Sequence, residues 1–174
     1  DVETDTLFWT TGNPSPDWNG DDRAGDNLYS NAIIAVDPAT GARKWHYQFT
    51  PNDAYDYDSV QIPVLVDMQW QGTPRKLMLW ANRNGVFYVL DRTTGKYLHG
   101  AQYVDRLNWS KGLDENGRPI VNPDYLPQEG GNKEMICPGN VGGQNGAYTA
   151  AYSPLTKAIY VPVIESCGKM EKAA

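Results

Sequence analysis

Cysteine and histidine are both scarce, two of each in 174 residues, and their scarcity removes several chemistries at once. Cys137 (in EMICPGN) and Cys167 (in VIESCGK) stand in turn-rich contexts without a CxxC or a nearby histidine, so neither makes a zinc site. Two buried free thiols and a disulfide formed in an oxidising compartment both remain open for them at this level. His46 and His99 lie in strand-period contexts and no G-x-S-x-G occurs, which leaves no nucleophilic triad; both histidines read as surface or packing residues. G-x-G-x-x-G and the phosphate-binding P-loop are absent, so nicotinamide and nucleotide chemistry have no motif. Positive charge is also short, with 15 Lys and Arg against 21 Asp and Glu, a net charge of -6 and no basic cluster. Nucleic acid and anionic membrane surfaces are therefore disfavoured as partners. No apolar run approaches the ~18 residues that span a bilayer. No signal peptide opens the chain, which starts in what reads as mid-strand (DVETDTLFWTTGNP), and a fragment, or a mature piece whose export signal lies elsewhere, is expected.

What is present is turn chemistry and aromatic mass: 17 Gly, 12 Pro, 11 Tyr and 6 Trp, with few stretches of helical period. That composition points to short strands joined by many turns, on a chain long enough for a sizeable core. The chain also repeats itself. AIIAVDPATGARKW (32–45), VFYVLDRTTGKY (86–97) and TAAYSPLTKAIYV (149–161) each read as an apolar strand, a turn and the start of a second strand. Asp37 or Asp91 can accept backbone N–H bonds across the turn, while Gly41 or Gly95 supplies the positive φ that closes it. Gly- and aromatic-punctuated repeats of this length predict an all-β fold built from β-propeller blades, with a β-sandwich of incidentally similar hairpins as the alternative. Long polar loops separate the repeats at 13–27, 50–59 and 105–147, and loops of that length usually carry function.

The acidic loops fail as calcium hands. Counting from Asp17 in DWNGDD, the sixth position is Asp22 and the twelfth Leu28; counting from Asp56, the sixth is Gln61. A set of polar loop residues remains: Asn13 in TTGNPSP, Asp56 and Asp58 in TPNDAYDYDS, Arg83 in ANRNG and Asn145 in GGQNGAY. Each alone has a plain explanation as a turn or capping residue. Asp56 and Asp58, separated by Tyr57, face the same way if the segment is extended, with no basic residue close in sequence, and Asp53 reads as a turn acid.

TGNPSPDWN, GDNLYSNAIIAVDPATGARKWHYQFTPNDAYDYDS, ANRNGVFYVLDRTTG and CPGNVGGQN followed by AYSP together closely resemble the pyrroloquinoline quinone (PQQ)-dependent alcohol dehydrogenases of the methanol/ethanol dehydrogenase type. The resemblance spans nearly the whole chain. AVDPATGARKW matches that family's tryptophan-docking repeat, which implies an eight-bladed propeller of which residues 1–174 supply about three blades of one larger PQQ-binding domain.

The resemblance implies roles for matched residues. Asn13 corresponds to an asparagine metal ligand and Asp56 to the catalytic aspartate, which also lies on the metal. Arg83 corresponds to the arginine at the reactive quinone carbonyl, Asn145 to an asparagine hydrogen-bonding the cofactor, and Cys137 and Cys167 to a structural disulfide. Asp58 stands where the lanthanide-type branch has aspartate and calcium enzymes have a small uncharged residue, so a lanthanide(III) is favoured and calcium is the alternative. The implied enzyme is periplasmic, oxidises a small primary alcohol and passes electrons to a cytochrome c; membrane association is not indicated, and a homodimer is left open. The glutamate ligand, cofactor-stacking tryptophan and adjacent-cysteine disulfide of the family do not occur here in the expected context, so the chain by itself is expected to be inactive. A non-catalytic propeller scaffold sharing the docking repeat is the competing reading, and an aromatic-rich sugar-binding domain a weaker one.

Overall fold

The computed structural model describes residues 1–146 and 148–172, and it is all-β apart from one 3-10 turn at Pro123–Tyr125. The first sheet runs β1 (Leu7–Thr10), β2 (Ala32–Val36), β3 (Arg43–Gln48), in that order and antiparallel. The second is a four-stranded antiparallel meander, β4 (Val64–Trp70), β5 (Thr73–Ala81), β6 (Val86–Asp91) and β7 (Tyr97–Gln102). Two hairpins follow, β8 (Ser110–Leu113) with β9 (Pro119–Val121), and β10 (Ala151–Ser153) with β11 (Ala158–Tyr160).

Each of the three sequence repeats is a hairpin: β2–β3, β6–β7 and β10–β11. Their turns work by local chemistry. The Asp37 carboxylate accepts from the backbone N–H of Ala39 and Thr40 at 3.0 and 2.8 Å, and Asp91 accepts from Thr93 N–H at 2.9 Å. Gly41 and Gly95 take φ of 72° and 74°, the left-handed region that other residues enter only at a cost.

The second sheet is covered on both faces, because successive side chains of a strand point to opposite sides. On one side Met78, Trp80, Tyr88 and Leu90 pack with Ile33 and Phe49 of the first unit, and Trp45 and Tyr47 join that cluster. On the other side Leu77, Leu79 and Val89 form a separate cluster that Tyr152 and Ile159 of β10–β11 complete. Three units thus stack in series, as blades of a propeller do, and the sandwich reading gives way. At the ends of the stack large apolar side chains stay exposed: Leu7 and Trp9 on β1, and Leu155 and Tyr160 at β10–β11.

Trp45 bridges the first and second units, since its ring lies against the Gly95 turn where a Cβ would come within 2.5 Å of the indole. Gly95→Ala therefore combines a strained φ, about 1–2 kcal/mol, with an overpacked contact, about 1–3 kcal/mol. A loss of roughly 2–5 kcal/mol is expected from the urea midpoint of the full-length protein, and a loss below about 0.5 kcal/mol would mean that neither the φ strain nor the indole contact is felt.

The stretch 105–147, expected as a long polar loop, instead contains the β8–β9 hairpin and the 3-10 turn. It is held down by Trp109, fully buried, whose indole N–H donates to the Asn84 carbonyl at 2.8 Å. Cys137 and Cys167 form a disulfide with their Cα atoms 4.4 Å apart. The flanking segments are clamped by Ile136 N–H to Gly168 O at 2.8 Å and Gly139 N–H to Ser166 O at 2.9 Å.

Candidate functional site

TPNDAYDYDS folds around its tyrosines. Tyr55 and Tyr57 are buried, stack on one another with centroids 5.1 Å apart, and both lean on Trp109. Tyr57 donates to the Pro138 carbonyl at 2.6 Å, next to the disulfide. With both rings drawn inward, Asp56 and Asp58 are turned to the other side, where each is half-buried. The segment is not extended, however: Asp56 sits at φ 62°, so the shared orientation comes from a left-handed kink and the anchored tyrosines rather than from strand alternation.

Asp53 is the loop's internal scaffold. Its carboxylate accepts from Tyr55 N–H at 2.8 Å, Tyr57 N–H at 2.7 Å and the Asn31 amide at 2.7 Å, while only 1% of the residue is exposed. The turn-acid reading therefore holds, with more depth than the sequence reveals. Burial pushes its pKa up to about 6, against the pull of those three donors.

Asp58 is the hub of the candidate site. One oxygen accepts from Asn13 N–H at 2.9 Å and the other from Arg83 Nη1 at 2.6 Å. The acids have no basic neighbour in sequence, yet Asp58 has a cationic partner 25 residues on, which the stacking of β5–β6 beside the loop supplies. Gly12 makes this approach possible, because a Cβ there would lie 2.6 Å from Asp58 Oδ1. The Asn13 side-chain amide donates to Asp17 at 2.7 Å, adding a third carboxylate to the cluster. Burial, then the neighbouring Asp58 charge, raise the pKa of Asp56; Arg83 and a hydrogen bond with Asn140 act in the opposite direction.

Arg83 projects from the turn between β5 and β6, which is buried and pinned by Asn82 Nδ2 to Ser59 Oγ at 2.8 Å. The arginine is 9% exposed, and its Nε is buried without a partner among the described residues. Asn145 follows Gln144, whose carbonyl accepts from Gln61 Nε2 at 3.0 Å; the same amide donates to the Asp58 carbonyl at 2.9 Å. Asn13, Asp56, Asp58, Arg83 and the Asn145 loop therefore lie in one connected network. His46 and His99 are not part of it, lying edge-on to Tyr29 and beside Trp70 respectively.

Residues 1–105 match the family described as "PQQ: Glucose/ethanol/alcohol dehydrogenase, beta-propeller domain". The chain belongs to the PQQ-dependent alcohol dehydrogenase family. It is 41% identical over 167 residues to quinoprotein alcohol dehydrogenase PedH of Pseudomonas putida, covering 93% of this chain and 28% of that protein. Among solved structures, a europium-containing methanol dehydrogenase superposes with a TM-score of 0.87 at 37% identity, covering 94% of this chain and 28% of the other. The quinohemoprotein alcohol dehydrogenase of Comamonas testosteroni superposes with the same TM-score, 0.87, at 39% identity over 96% of this chain and 25% of that one. The chain thus spans about a quarter of the length of these relatives and supplies a few blades of their propeller.

The residues present fit a PQQ and cation site in part. Asp56 and Asp58 lie beside the Arg83 guanidinium, with Asp17 hydrogen-bonded to Asn13 next to them, and they offer hard oxygen donors suited to a Ca²⁺- or lanthanide-sized ion. The orphaned Arg83 Nε is a donor left over for an oxygen-rich anionic group. Among the described residues no three His, Cys, Asp or Glu side chains form a metal cage by themselves, and a hard cation takes roughly 6–8 oxygens, so further donors must come from outside this set. Sequence reasoning missed Gln61, Asn140 and the contact of Asp17 with Asn13. Only Asp17 carried a signal, within the acidic run DWNGDD; the others are ordinary polar residues until the fold brings them together.

Proposed function

We propose that this chain is the metal- and quinone-facing segment of a larger PQQ-dependent dehydrogenase that oxidises a small primary alcohol to an aldehyde. The observation that carries this reading is the convergence of Asn13, Asp56, Asp58 and Arg83 around the Asp58 carboxylate. A scaffold blade has no use for that polar set, which disfavours the non-catalytic alternative. Exposed Leu7, Trp9 and Tyr160 at the ends of the stack support further blades on both sides.

PQQ, when bound with its cation, supplies the electrophilic carbonyl that accepts the hydride. Asp56 would take the proton from the substrate hydroxyl oxygen, and a carboxylate held beside a metal can serve even with a low pKa because loss of the proton and of the hydride are coupled. Arg83 would place positive charge where the quinone oxygen gains electron density, and its bond to Asp58 holds the guanidinium at the site. Asn13, Asp56 and Asp58 would hold the cation, with Asn145 on the cofactor. The Cys137–Cys167 disulfide, under the Tyr57 anchor, keeps the loop bearing both acids in place.

A trivalent lanthanide is the favoured ion, since Asp58 adds a carboxylate to the donor set and the gain from one more ionic charge scales with ligand charge. That one structural relative is a europium-containing methanol dehydrogenase supports the same reading. The family resemblance supports a periplasmic enzyme handing electrons to a cytochrome c. In the full-length enzyme, Asp58→Ala is expected to lower lanthanide-supported alcohol oxidation by about 10–100-fold or more, and calcium-supported oxidation less. Unchanged lanthanide-dependent turnover, or equal loss with both ions, would overturn the trivalent assignment.

A further inference from the structure

Tyr103 is the first residue after β7, and its hydroxyl reaches into the network from behind. It donates to the Asn82 carbonyl at 2.6 Å and accepts from Gln144 N–H at 2.6 Å. Asn82 directly precedes Arg83, and Gln144 directly precedes Asn145. One oxygen therefore joins the two turns that carry the proposed quinone contacts. Tyr103 N–H also bonds to Gly85 O at 3.1 Å, the far end of the Arg83 turn, so the residue grips that turn at two points.

The same joint is visible from the opposite side. Gly143 has φ 64°, and a Cβ there would lie 2.6 Å from Arg83 O and 3.0 Å from the Tyr103 hydroxyl. The Gly143 loop is in turn paired with Ile164 by N–H to O bonds of 3.0 and 2.9 Å in both directions. Asn82 and Gln144 are essentially inaccessible to solvent, so water cannot replace the hydroxyl if it is removed. Burial raises the phenol's pKa, which keeps the proton needed for simultaneous donation and acceptance.

We propose that Tyr103 is a positioning residue: its hydroxyl sets the spacing between Arg83 and Asn145 and so tunes how the quinone is held. This rests on the PQQ reading above. It assigns Tyr103 no contact with substrate or quinone; it acts through the two turns.

The test uses the full-length apoenzyme, titrated with PQQ in the presence of calcium or a lanthanide ion and followed by tryptophan fluorescence and by the absorbance of the bound quinone. Tyr103→Phe keeps the ring and removes only the hydroxyl. Weakening of PQQ binding on the order of tenfold is expected, together with a displaced quinone absorbance maximum. Gly143→Ala, which pushes Arg83 and Gly143 apart while leaving the hydroxyl, is expected to give the same two changes, and it carries the test should Tyr103→Phe not fold. A lowered melting temperature with unchanged PQQ affinity and spectrum would reduce Tyr103 to a structural role and overturn the proposal. Wild-type protein that binds no PQQ would instead sink the functional reading itself.

Discussion

Asp56→Asn in the full-length enzyme is expected to lower alcohol turnover by roughly 10²–10⁴-fold, the range a positioned general base contributes. The substitution is close to isosteric, and asparagine tolerates the φ of 62° found at this position better than almost any residue other than glycine. The loop should therefore survive, leaving the loss of proton acceptance as the main change. PQQ uptake by the apoenzyme is the control, since the carboxamide oxygen still offers a neutral donor to the cation. Dye-linked oxidation of a panel of small alcohols measures the effect. Turnover within tenfold of wild type, with cofactor bound, would remove Asp56 from the role of base.

The second large effect is structural. Asp53→Ala deletes the acceptor of three buried donors, Tyr55 N–H, Tyr57 N–H and the Asn31 amide. Each orphaned donor costs about 1–3 kcal/mol, partly offset because a carboxylate need no longer be desolvated. A net loss of about 2–5 kcal/mol is expected from urea unfolding. Activity should fall with it, because the two backbone amides flank Asp56 and set its kink. The pH dependence has a definite sign. The folded pKa of Asp53, about 6, lies above its ordinary value of 3.8, so protonation favours the folded state and this contribution is lost as pH rises through about 6. The stability gap between wild type and Asp53→Ala should therefore narrow between about pH 4 and about pH 7. A gap that widens over that interval would show that the three donors outweigh burial.

Much of the fold was legible because its signals are local. Asp37, Thr40 and Gly41 close their turn within five residues, and Asp91 and Gly95 repeat the solution, so the hairpins could be read directly. The sandwich alternative could not be dismissed in the same way, because a hairpin does not declare which neighbour covers it; the paired clusters on the two faces of the second sheet did that. The stretch 105–147 reads as loop in sequence because β8 and β9 are only four and three residues long, too short to show a strand period, and owe their pairing to Trp109 being buried against Asn84.

The candidate site divides along the same line. By itself the sequence carried the family resemblance and the repeating turn, and through that resemblance it pointed to Asn13, Asp56, Asp58, Arg83 and Asn145 as candidate site residues and to Cys137 and Cys167 as a bridge. Only the tertiary structure decided that Asp58 pairs with Arg83, that Asp53 is buried as the loop's internal acceptor, and that Tyr103 and Gln61 tie the turns together. The reason is separation along the chain. A turn is decided by the dihedral preferences of four or five adjacent residues, whereas Asp58 meets Arg83 across 25 residues and Gln61 meets Gln144 across 83, distances bridged only when the sheets stack.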